Sequence, residues 1–219
     1  MKDVFVIAME FEADAVLRHM TEVVRTEERG RIVCQGKFRG ESAAVVICGL
    51  GKVNAAAGTQ YAIDRFSPER IINIGVAGGL DPSMRVGEVC TVTRCFQCDF
   101  DLSEINGTPK GTPDEYTSPY FELASSGFGR PGDVLRSVIV STGDSFVNDD
   151  DDLDFVFGEM GATLRDMELA AIAHVCRRAG VICCALKAVS DVHVPGNPPP
   201  ISQYKANLKL AVDALAVVF

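Results

Sequence analysis

The chain has 219 residues, of which 47% are hydrophobic and 23% are charged. This composition is typical of a globular protein and excludes disordered, collagen-like and fibrous classes, and the length predicts a single domain over residues 1–219. Thirty acidic and 21 basic residues give a net charge of −9, so we expect a small-molecule ligand and no nucleic-acid partner, because nucleic-acid-binding proteins present a basic surface.

The N-terminal half predicts alternating strands and helices. Val4–Met9 is a continuous apolar run with β-branched residues, which is typical of a strand buried on both faces. A helix is predicted from Glu10 to about Met20, because apolar residues recur on one side at a spacing near 3.6. We also expect strands at Arg31–Gln35, Ala43–Cys48 and Arg70–Ile74, a helix at Lys52–Phe66, and a flexible glycine-rich loop at Gly75–Gly79.

The C-terminal half contains one irregular region. Residues 97–133 hold four of the ten prolines and show no clear period, so they predict long loops with one short helix near Pro119–Ser125. Long irregular loops in compact domains often carry function. Around this region we expect strands at Gly87–Thr93, Leu135–Ser141 and Val181–Val189, helices at Met167–Ala179 and Ile201–Val218, and a helix N-terminus at the acidic run Asp149–Asp154.

This alternation predicts an α/β fold with a single domain, in a three-layer α/β/α arrangement around a mixed, mostly parallel twisted sheet. Ligands of such folds bind beyond the carboxyl ends of the strands. Glu12, Asp144 and Asp191 follow three of the predicted strands, and Glu168 begins the helix between two of them. The sequence therefore predicts a carboxylate-rich site at this edge, but spacing alone does not select among these acids, because an isolated acid more often caps a helix or faces solvent.

The glycine-rich segments match no phosphate-binding fingerprint. Gly75–Gly79 lacks the order G-x-G-x-x-G, and the chain has no Walker motif. Gly49–Lys52 precedes a predicted helix and would suit an anion at its N-terminus, although we favour the simpler interpretation of a tight turn. The chain has no G-x-S-x-G elbow for a serine hydrolase, and its three histidines are too scattered to argue for a catalytic triad.

The eight cysteines lie mostly in apolar runs, which is typical of buried thiols in a reducing compartment. Cys95 and Cys98 form a C-x-x-C motif, but a structural zinc site needs a second pair at a matching spacing, so no metal is expected. No apolar run approaches 18 residues, and the N-terminus lacks the pattern of a signal peptide. We therefore expect a cytoplasmic protein without a membrane partner.

Six segments resemble one family. They are Ile7–Glu12, Gly49–Ala56, Asn73–Leu80, Ser141–Val147, Asp166–Cys176 and Ala188–Val192. In these segments the chain resembles the nucleoside phosphorylase superfamily, and within it the 5′-methylthioadenosine/S-adenosylhomocysteine nucleosidases. The resemblance covers residues 1 to about 217 in the right order, and the loop from 97 to 133 matches least. It implies hydrolysis of a purine nucleoside without a cofactor, by a homodimer in which a neighbouring subunit often completes the pocket for the 5′ group.

The resemblance also implies a role for each carboxylate. Cleavage of an N-glycoside passes through an oxocarbenium-like state, so the purine needs an acid, the attacking water needs a base and the ribose needs nearby negative charge. By resemblance, Asp191 protonates the purine, Glu12 activates the water and Glu168 holds the ribose hydroxyls. The substrate-binding residues that it implies are Met9, Leu50, Ala77, Gly78, Leu102, Phe146, Val147, Asp166, Met167, Lys187 and Ser190. Phe146 would stack on the purine, whose edge the backbone of Val147 would contact, and Met9, Leu50 and Leu102 would line an apolar slot for the 5′ group.

The chain departs from the family pattern near the expected water. Val76 replaces the usual Ser and Lys187 replaces the usual Arg, while Arg165–Asp166 replaces Val-Glu. Valine cannot form a hydrogen bond through its side chain, and lysine lacks the planar fork of arginine, so the contacts of the water must differ.

Three alternatives remain at this stage. A phosphorylase of the same superfamily would need a cluster of cations, for which Lys52, Arg85 and Lys187 are the candidates. A hydrolase could act on another purine nucleoside, such as futalosine. An inactive nucleoside-binding protein is the alternative from a different class, although such a protein has no need of all three carboxylates.

Overall fold

The computed structural model describes residues 1–129, 134–146, 153–193 and 201–219, with the side chains of the last segment described from Tyr204 onward. The strands in these ranges are β1 (Asp3–Ile7), β2 (Met20–Glu28), β3 (Arg31–Phe38), β4 (Glu41–Ile47), β5 (Arg70–Gly79), β6 (Val89–Gln97), β7 (Phe121–Glu122), β8 (Arg136–Thr142), β9 (Leu164–Asp166) and β10 (Ile182–Val192). The helices are α1 (Glu10–Leu17), α2 (Lys52–Phe66), α3 (Ser103–Asn106), α4 (Leu169–Ala179) and α5 (Ile201–Val217), with a π-helical turn at Asp154–Glu159.

All the described strands belong to one mixed sheet, part of which closes on itself. β5 pairs with β10, and the pairing continues through β6, β8 and β9 back to β5, so five strands form a ring. From β5 the sheet extends outward through β1, β4, β3 and β2, and the short β7 pairs with β6. The prediction of a mixed α/β sheet with helices is confirmed.

The expected excess of parallel pairing is not found. Five strand pairs in the described ranges are parallel and five are antiparallel. Two of the antiparallel pairs come from the meander of β2, β3 and β4, two come from the ring (β10–β6 and β5–β9), and the fifth is the short β7 on β6. The three-layer α/β/α arrangement predicted from the sequence does not account for this closed ring of strands.

β1 shows how the sheet is held between helices. Val4 and Val6 are fully buried in one core, which contains side chains of α2 and α4. Phe5 and Ile7 are fully buried in the other core, with side chains of α1 and α5. Helices therefore cover both faces of β1, and each such side chain contributes about 1.5–3 kcal/mol of burial free energy.

The glycine-rich stretch Gly75–Gly79 is not a loop, as the sequence suggested, but the second half of β5. It pairs with β10 on one side and with β9 on the other, and both partners come from distant parts of the chain. The glycines are required by close approach: a Cβ at Gly75 would lie 2.6 Å from Glu12 Oε1. Composition alone suggested flexibility because it does not show these two partners.

One helix prediction was too long and another was wrong. The first helix begins at the predicted Glu10 but ends at Leu17, and Met20 begins β2, whose residues are mostly exposed and therefore lack a buried apolar pattern. The short helix expected near Pro119–Ser125 is absent, because Phe121 and Glu122 form β7 against β6. By contrast, α2 begins and ends at the predicted residues, Lys52 and Phe66.

The acidic run Asp149–Asp154 falls largely outside the described residues, although its last residue begins the π-helical turn. None of the described helices is both long and apolar enough to cross a membrane.

We expect Gly58→Ala to destabilise the protein, although alanine favours helices by about 1 kcal/mol over glycine. Gly58 lies in the middle of α2, and a Cβ there would lie 2.5 Å from Cys48 Cβ. Overpacking of this kind costs about 1–3 kcal/mol, which urea unfolding would measure. Gly158→Ala is the matched control, because nothing lies within 4 Å of its added Cβ. A Gly58→Ala variant as stable as the parent protein would contradict the close packing of α2 on Cys48.

Candidate active site

A pocket lies where the carboxyl ends of β1, β4, β5, β8, β9 and β10 meet. Its volume is about 70 Å³. The lining residues come from the ends of the strands and from the segments that follow them, together with one residue of α5. They are Met9, Glu12, Leu50, Val76, Ala77, Gly78, Phe146, Arg165, Asp166, Met167, Glu168, Ser190, Asp191 and Tyr204.

Glu12 is held by backbone donors from two elements. It lies in the first turn of α1, and its Oε2 accepts a hydrogen bond from the N–H of Met9 at 3.1 Å. Its Oε1 accepts a hydrogen bond from the N–H of Val76 in β5 at 2.8 Å. Burial raises the pKa of the Glu12 carboxyl, although the Lys187 ammonium and the two N–H groups oppose the shift. The side chain is thus fixed in place and able to hold a proton.

Glu168 and Asp144 occupy the N-terminus of α2. The N–H of Gly51 donates to Glu168 Oε1 at 2.9 Å, and the N–H of Lys52 donates to Asp144 Oδ1 at 2.8 Å. A helix N-terminus attracts negative charge, and here two side chains of the chain itself supply it. Burial, and then the charge of Asp166, raise the pKa of Glu168 to about 7.

Asp191 lies near the end of β10, next to a hydroxyl group. Ser190 Oγ donates to Asp191 Oδ1 at 2.6 Å, and a Cβ at Gly78 would lie 3.3 Å from Asp191 Oδ2. Burial raises the pKa of the Asp191 carboxyl, with Ser190 and His193 acting in the opposite direction. The geometry fits a carboxyl group that keeps its proton until a substrate accepts it.

Lys187 lies beneath the pocket and is 1% exposed. Its Nζ lies 2.8 Å from Asp166 Oδ2. The other oxygen of Asp166, Oδ1, accepts a hydrogen bond from the hydroxyl of Thr142 at 2.6 Å. Burial disfavours the ammonium, but the charges of Asp166, Glu168 and Glu12 outweigh burial and raise the pKa of Lys187. One cation therefore faces three carboxylates.

A ring of polar contacts anchors the loop that carries Phe146. Lys52 Nζ donates to Asp99 Oδ1 at 2.6 Å, and Asp99 Oδ2 accepts the N–H of Asp144 at 3.0 Å. Because Asp144 in turn accepts the N–H of Lys52, α2, Asp99 and this loop are tied together. The Phe146 ring packs edge to face on Tyr204, with ring centroids 5.3 Å apart.

The pocket brings together most of the residues that the sequence pointed to. Those that line it are Glu12, Glu168, Asp191, Met9, Leu50, Ala77, Gly78, Phe146, Asp166, Met167 and Ser190. Lys187 does not line the pocket but pairs with Asp166 beneath it, and Leu102 lies at the start of α3, away from the lining. Val147 falls outside the described residues.

Sequence reasoning missed Tyr204, and it noted Arg165 only as a departure from the family. Arg165 lies on β9, where its Nη2 is 3.6 Å from Cys98 Sγ. Tyr204 lies on α5, far along the chain from the motifs, so no local pattern pointed to it.

Comparison with known proteins finds relatives of one family. A family model described as the phosphorylase superfamily matches residues 2–219. A 5′-methylthioadenosine/S-adenosylhomocysteine nucleosidase of Geobacillus thermodenitrificans is 35% identical, over 100% of this chain and 98% of that protein. One from a Marinomonas species is 31% identical, over 94% and 91% of the two chains.

Solved structures show the same fold. A nucleosidase of this description from Helicobacter pylori, complexed with a pyrrolidine compound, has a TM-score of 0.87 at 23% identity and covers 100% of this chain and 95% of that chain. The native futalosine hydrolase of the same organism gives the same TM-score, identity and coverage. At these identities the match concerns the fold.

We expect Glu168→Gln to stabilise the protein at pH 8 more than at pH 5. Because the pKa of Glu168 is raised to about 7, the folded state favours the protonated carboxyl, and this contribution to stability is lost as the pH rises through 7. Glutamine keeps an acceptor for the N–H of Gly51 but does not titrate, so we expect the free energy of unfolding at pH 8 to rise by about 1–3 kcal/mol.

Urea unfolding at the two pH values measures this difference. Glu104→Gln on the exposed helix α3 is the control and should leave the pH dependence of the parent protein intact. Equal pH dependence in Glu168→Gln and the parent protein would contradict the raised pKa.

Proposed function

The chain belongs to the phosphorylase superfamily, and we propose that it is a purine nucleosidase that hydrolyses the N-glycosidic bond of 5′-methylthioadenosine and S-adenosylhomocysteine and releases adenine. The observation that carries this proposal is the convergence of Glu12, Glu168 and Asp191 in one pocket at the strand ends. Relatives with this activity in their names, at 31–35% identity over most of the chain, support the substrate.

Asp191 is the general acid in this mechanism. Departure of the purine as an anion is slow, so a proton must reach N7 while the bond to C1′ breaks. Burial raises the pKa of Asp191 and so favours the protonated form that can donate. The Ser190 hydroxyl holds Oδ1, which fixes the plane of the carboxyl group.

Glu12 is the base that takes a proton from the attacking water. Its raised pKa brings it closer to the working pH, where a general base is most effective. Because the backbone N–H groups of Met9 and Val76 fix both of its oxygens, the carboxylate meets the water with little loss of conformational entropy. Val76 thus contributes its N–H to Glu12, whereas a serine in its place would offer a hydroxyl to the water.

Glu168 binds the ribose hydroxyls and provides negative charge beside the oxocarbenium-like ribose. One of its oxygens already accepts the N–H of Gly51, which orients the carboxylate. An ionised Glu168 stabilises positive charge on the ribose more strongly in the transition state than in the ground state, and only this difference speeds the reaction.

Water is favoured over phosphate as the nucleophile because the three candidate cations do not form a cluster. Lys52 Nζ pairs with Asp99, and Lys187 Nζ pairs with Asp166. Arg85 is exposed and lies outside the pocket lining. In the part of the chain that the structure describes, these residues therefore offer no phosphate subsite.

We further propose that the protein acts in the cytoplasm as a homodimer. All eight cysteines are free thiols, which is typical of a reducing compartment. Leu50 at the pocket and Val53 on α2 are 54% and 79% exposed, and neighbouring exposed apolar side chains of this kind are typical of interaction surfaces. A second subunit on this face would cover them, and its own Leu102 could complete the slot for the 5′ group.

We expect Val53→Asp to weaken this dimer, because a charge would be buried at the contact. Sedimentation equilibrium would show the parent protein near twice the 23.5 kDa of one chain and the variant shifted toward the mass of one chain. Val134→Asp is the control, since Val134 is 96% exposed elsewhere on the chain and should not affect association. A monomeric parent protein would refute the dimer.

We expect Asp191→Asn to lower the rate of adenine release by about 10²–10⁴-fold, because asparagine cannot donate a proton as an acid. Binding of 5′-methylthioadenosine, measured by calorimetry, should persist in the variant. Normal turnover by Asp191→Asn would show that the assignment of the acid is wrong.

The parent protein would be assayed for base release from 5′-methylthioadenosine, S-adenosylhomocysteine, inosine and futalosine, with and without phosphate. Release of adenine without phosphate from the two thio-substrates is the expected result. Strict dependence on phosphate would indicate a phosphorylase, release only from futalosine would change the substrate, and no release from any nucleoside would indicate a binding protein.

A further inference from the structure

Tyr204 is the aromatic residue of the pocket to which the proposed mechanism gives no role. It lies on α5, whereas the remaining lining residues come from the strand ends and the segments that follow them. Its ring packs against Phe146 at an interplanar angle of 69°. The two rings thus place a phenol group in the same pocket as the carboxylates that the proposed mechanism uses.

The Tyr204 hydroxyl forms no hydrogen bond with any residue that the structure describes. The hydroxyl of Tyr61, by contrast, donates to Glu28 at 2.5 Å, and that of Tyr120 donates to the carbonyl oxygen of Met160 at 3.0 Å. Tyr204 is half-buried in the pocket lining, so a ligand that fills the pocket would displace water from its hydroxyl. Because a buried phenol usually has a hydrogen-bond partner, we expect the ligand to supply one.

This hydroxyl remains a neutral donor at physiological pH. Burial, and the charges of Asp191, Glu12 and Glu168, raise the pKa of Tyr204 to about 12. The three carboxylates line the same pocket as Tyr204. An ionised carboxylate only accepts hydrogen bonds, whereas the neutral phenol can donate one at the working pH.

The position on the substrate follows from the roles assigned in the proposed function, on which this inference rests. Asp191 and Ser190 serve N7 of the purine, and Glu168 serves the 2′ and 3′ hydroxyls of the ribose. None of these residues serves the 5′ substituent, and the residues assigned to it, Met9 and Leu50, line the same pocket as Tyr204. Met9 and Leu50, which the resemblance assigns to this substituent, are apolar side chains and provide no donor.

We propose that the Tyr204 hydroxyl donates a hydrogen bond to an acceptor on the 5′ substituent, so that the pocket favours nucleosides that carry such an acceptor over those with an apolar 5′ group. An apolar group would leave the phenol without water and without a partner, which is costly in a closed pocket. By this reasoning a 5′ hydroxyl or an amino-acid tail is favoured over a methylthio group, whose sulfur is a weak acceptor.

Adenosine and 5′-deoxyadenosine test this proposal because they differ by one oxygen atom at the 5′ position. We expect Tyr204→Phe to lower the ratio of their kcat/KM values about tenfold, through loss of activity on adenosine alone. Activity on 5′-deoxyadenosine should stay within about twofold of that of the parent protein, because phenylalanine retains the ring that packs on Phe146.

Tyr61→Phe is the matched control, since it removes a hydroxyl that bonds Glu28 outside the pocket, and it should leave the ratio unchanged. Thermal unfolding would show that both variants fold. An unchanged ratio in Tyr204→Phe, or an equal loss on both nucleosides, would overturn the proposal while leaving the nucleosidase activity established. Failure of the parent protein to release adenine from any nucleoside would instead overturn the proposed function, and this inference with it.

Discussion

The buried ammonium of Lys187 is the interaction on which the arrangement of the pocket depends. Its side chain and that of Asp166 are 2% and 1% exposed, and the ion pair spans 2.8 Å. A buried charge is tolerated only when it is paired and hydrogen-bonded, and Asp166 meets this condition through Thr142 and the N–H of Leu169. Because Asp166 is fixed in this way, the Lys187 ammonium provides a positive charge under Glu12 and Glu168. Without this ammonium, the two carboxylates could not both remain ionised in an apolar pocket.

Two of the departures from the family fall on this ion pair. By the resemblance, a glutamate stands where this chain has Asp166 and an arginine stands where it has Lys187. Aspartate is one methylene shorter than glutamate, and lysine brings one compact charge in place of a planar fork. In this chain the shorter acid and the compact cation are in contact, with Nζ 2.8 Å from Oδ2. The ammonium therefore keeps its place next to Glu12 and Glu168, whose charges, together with that of Asp166, raise its pKa.

Much of this site could be predicted because parallel strands place their carboxyl ends along one edge. That rule placed Glu12, Asp144 and Asp191 at one edge from sequence alone, with Glu168 at the start of the next helix. Of these four, Asp144 does not line the pocket, and it was the resemblance, which gave roles only to the other three, that made this distinction. It did not reveal that Gly75–Gly79 continues β5, because the two strands that flank this stretch come from distant segments. β2 escaped prediction because its residues are mostly exposed, so hydrophobic periodicity carries no signal there. Tyr204 was not predicted for a related reason. Its place in the pocket depends on how α5 packs, and no motif near it in the chain indicates that packing.

In the proposed mechanism, the chemistry and the choice of substrate rest on different parts of the molecule. The carboxylates and Lys187 belong to strand ends and helix starts. A displacement of these elements would break the backbone hydrogen bonds to Glu12 and Glu168. Gly75 also leaves no room beside Glu12, since a Cβ there would lie 2.6 Å from Oε1. Phe146 and Tyr204 lie in a loop and on a helix outside the sheet, and their contact with each other is between rings. A substitution there leaves the Lys187–Asp166 ion pair and the hydrogen bond of Asp191 in place. Under the proposed mechanism, a change of substrate preference at these two rings would therefore leave the groups that cleave the bond unaltered.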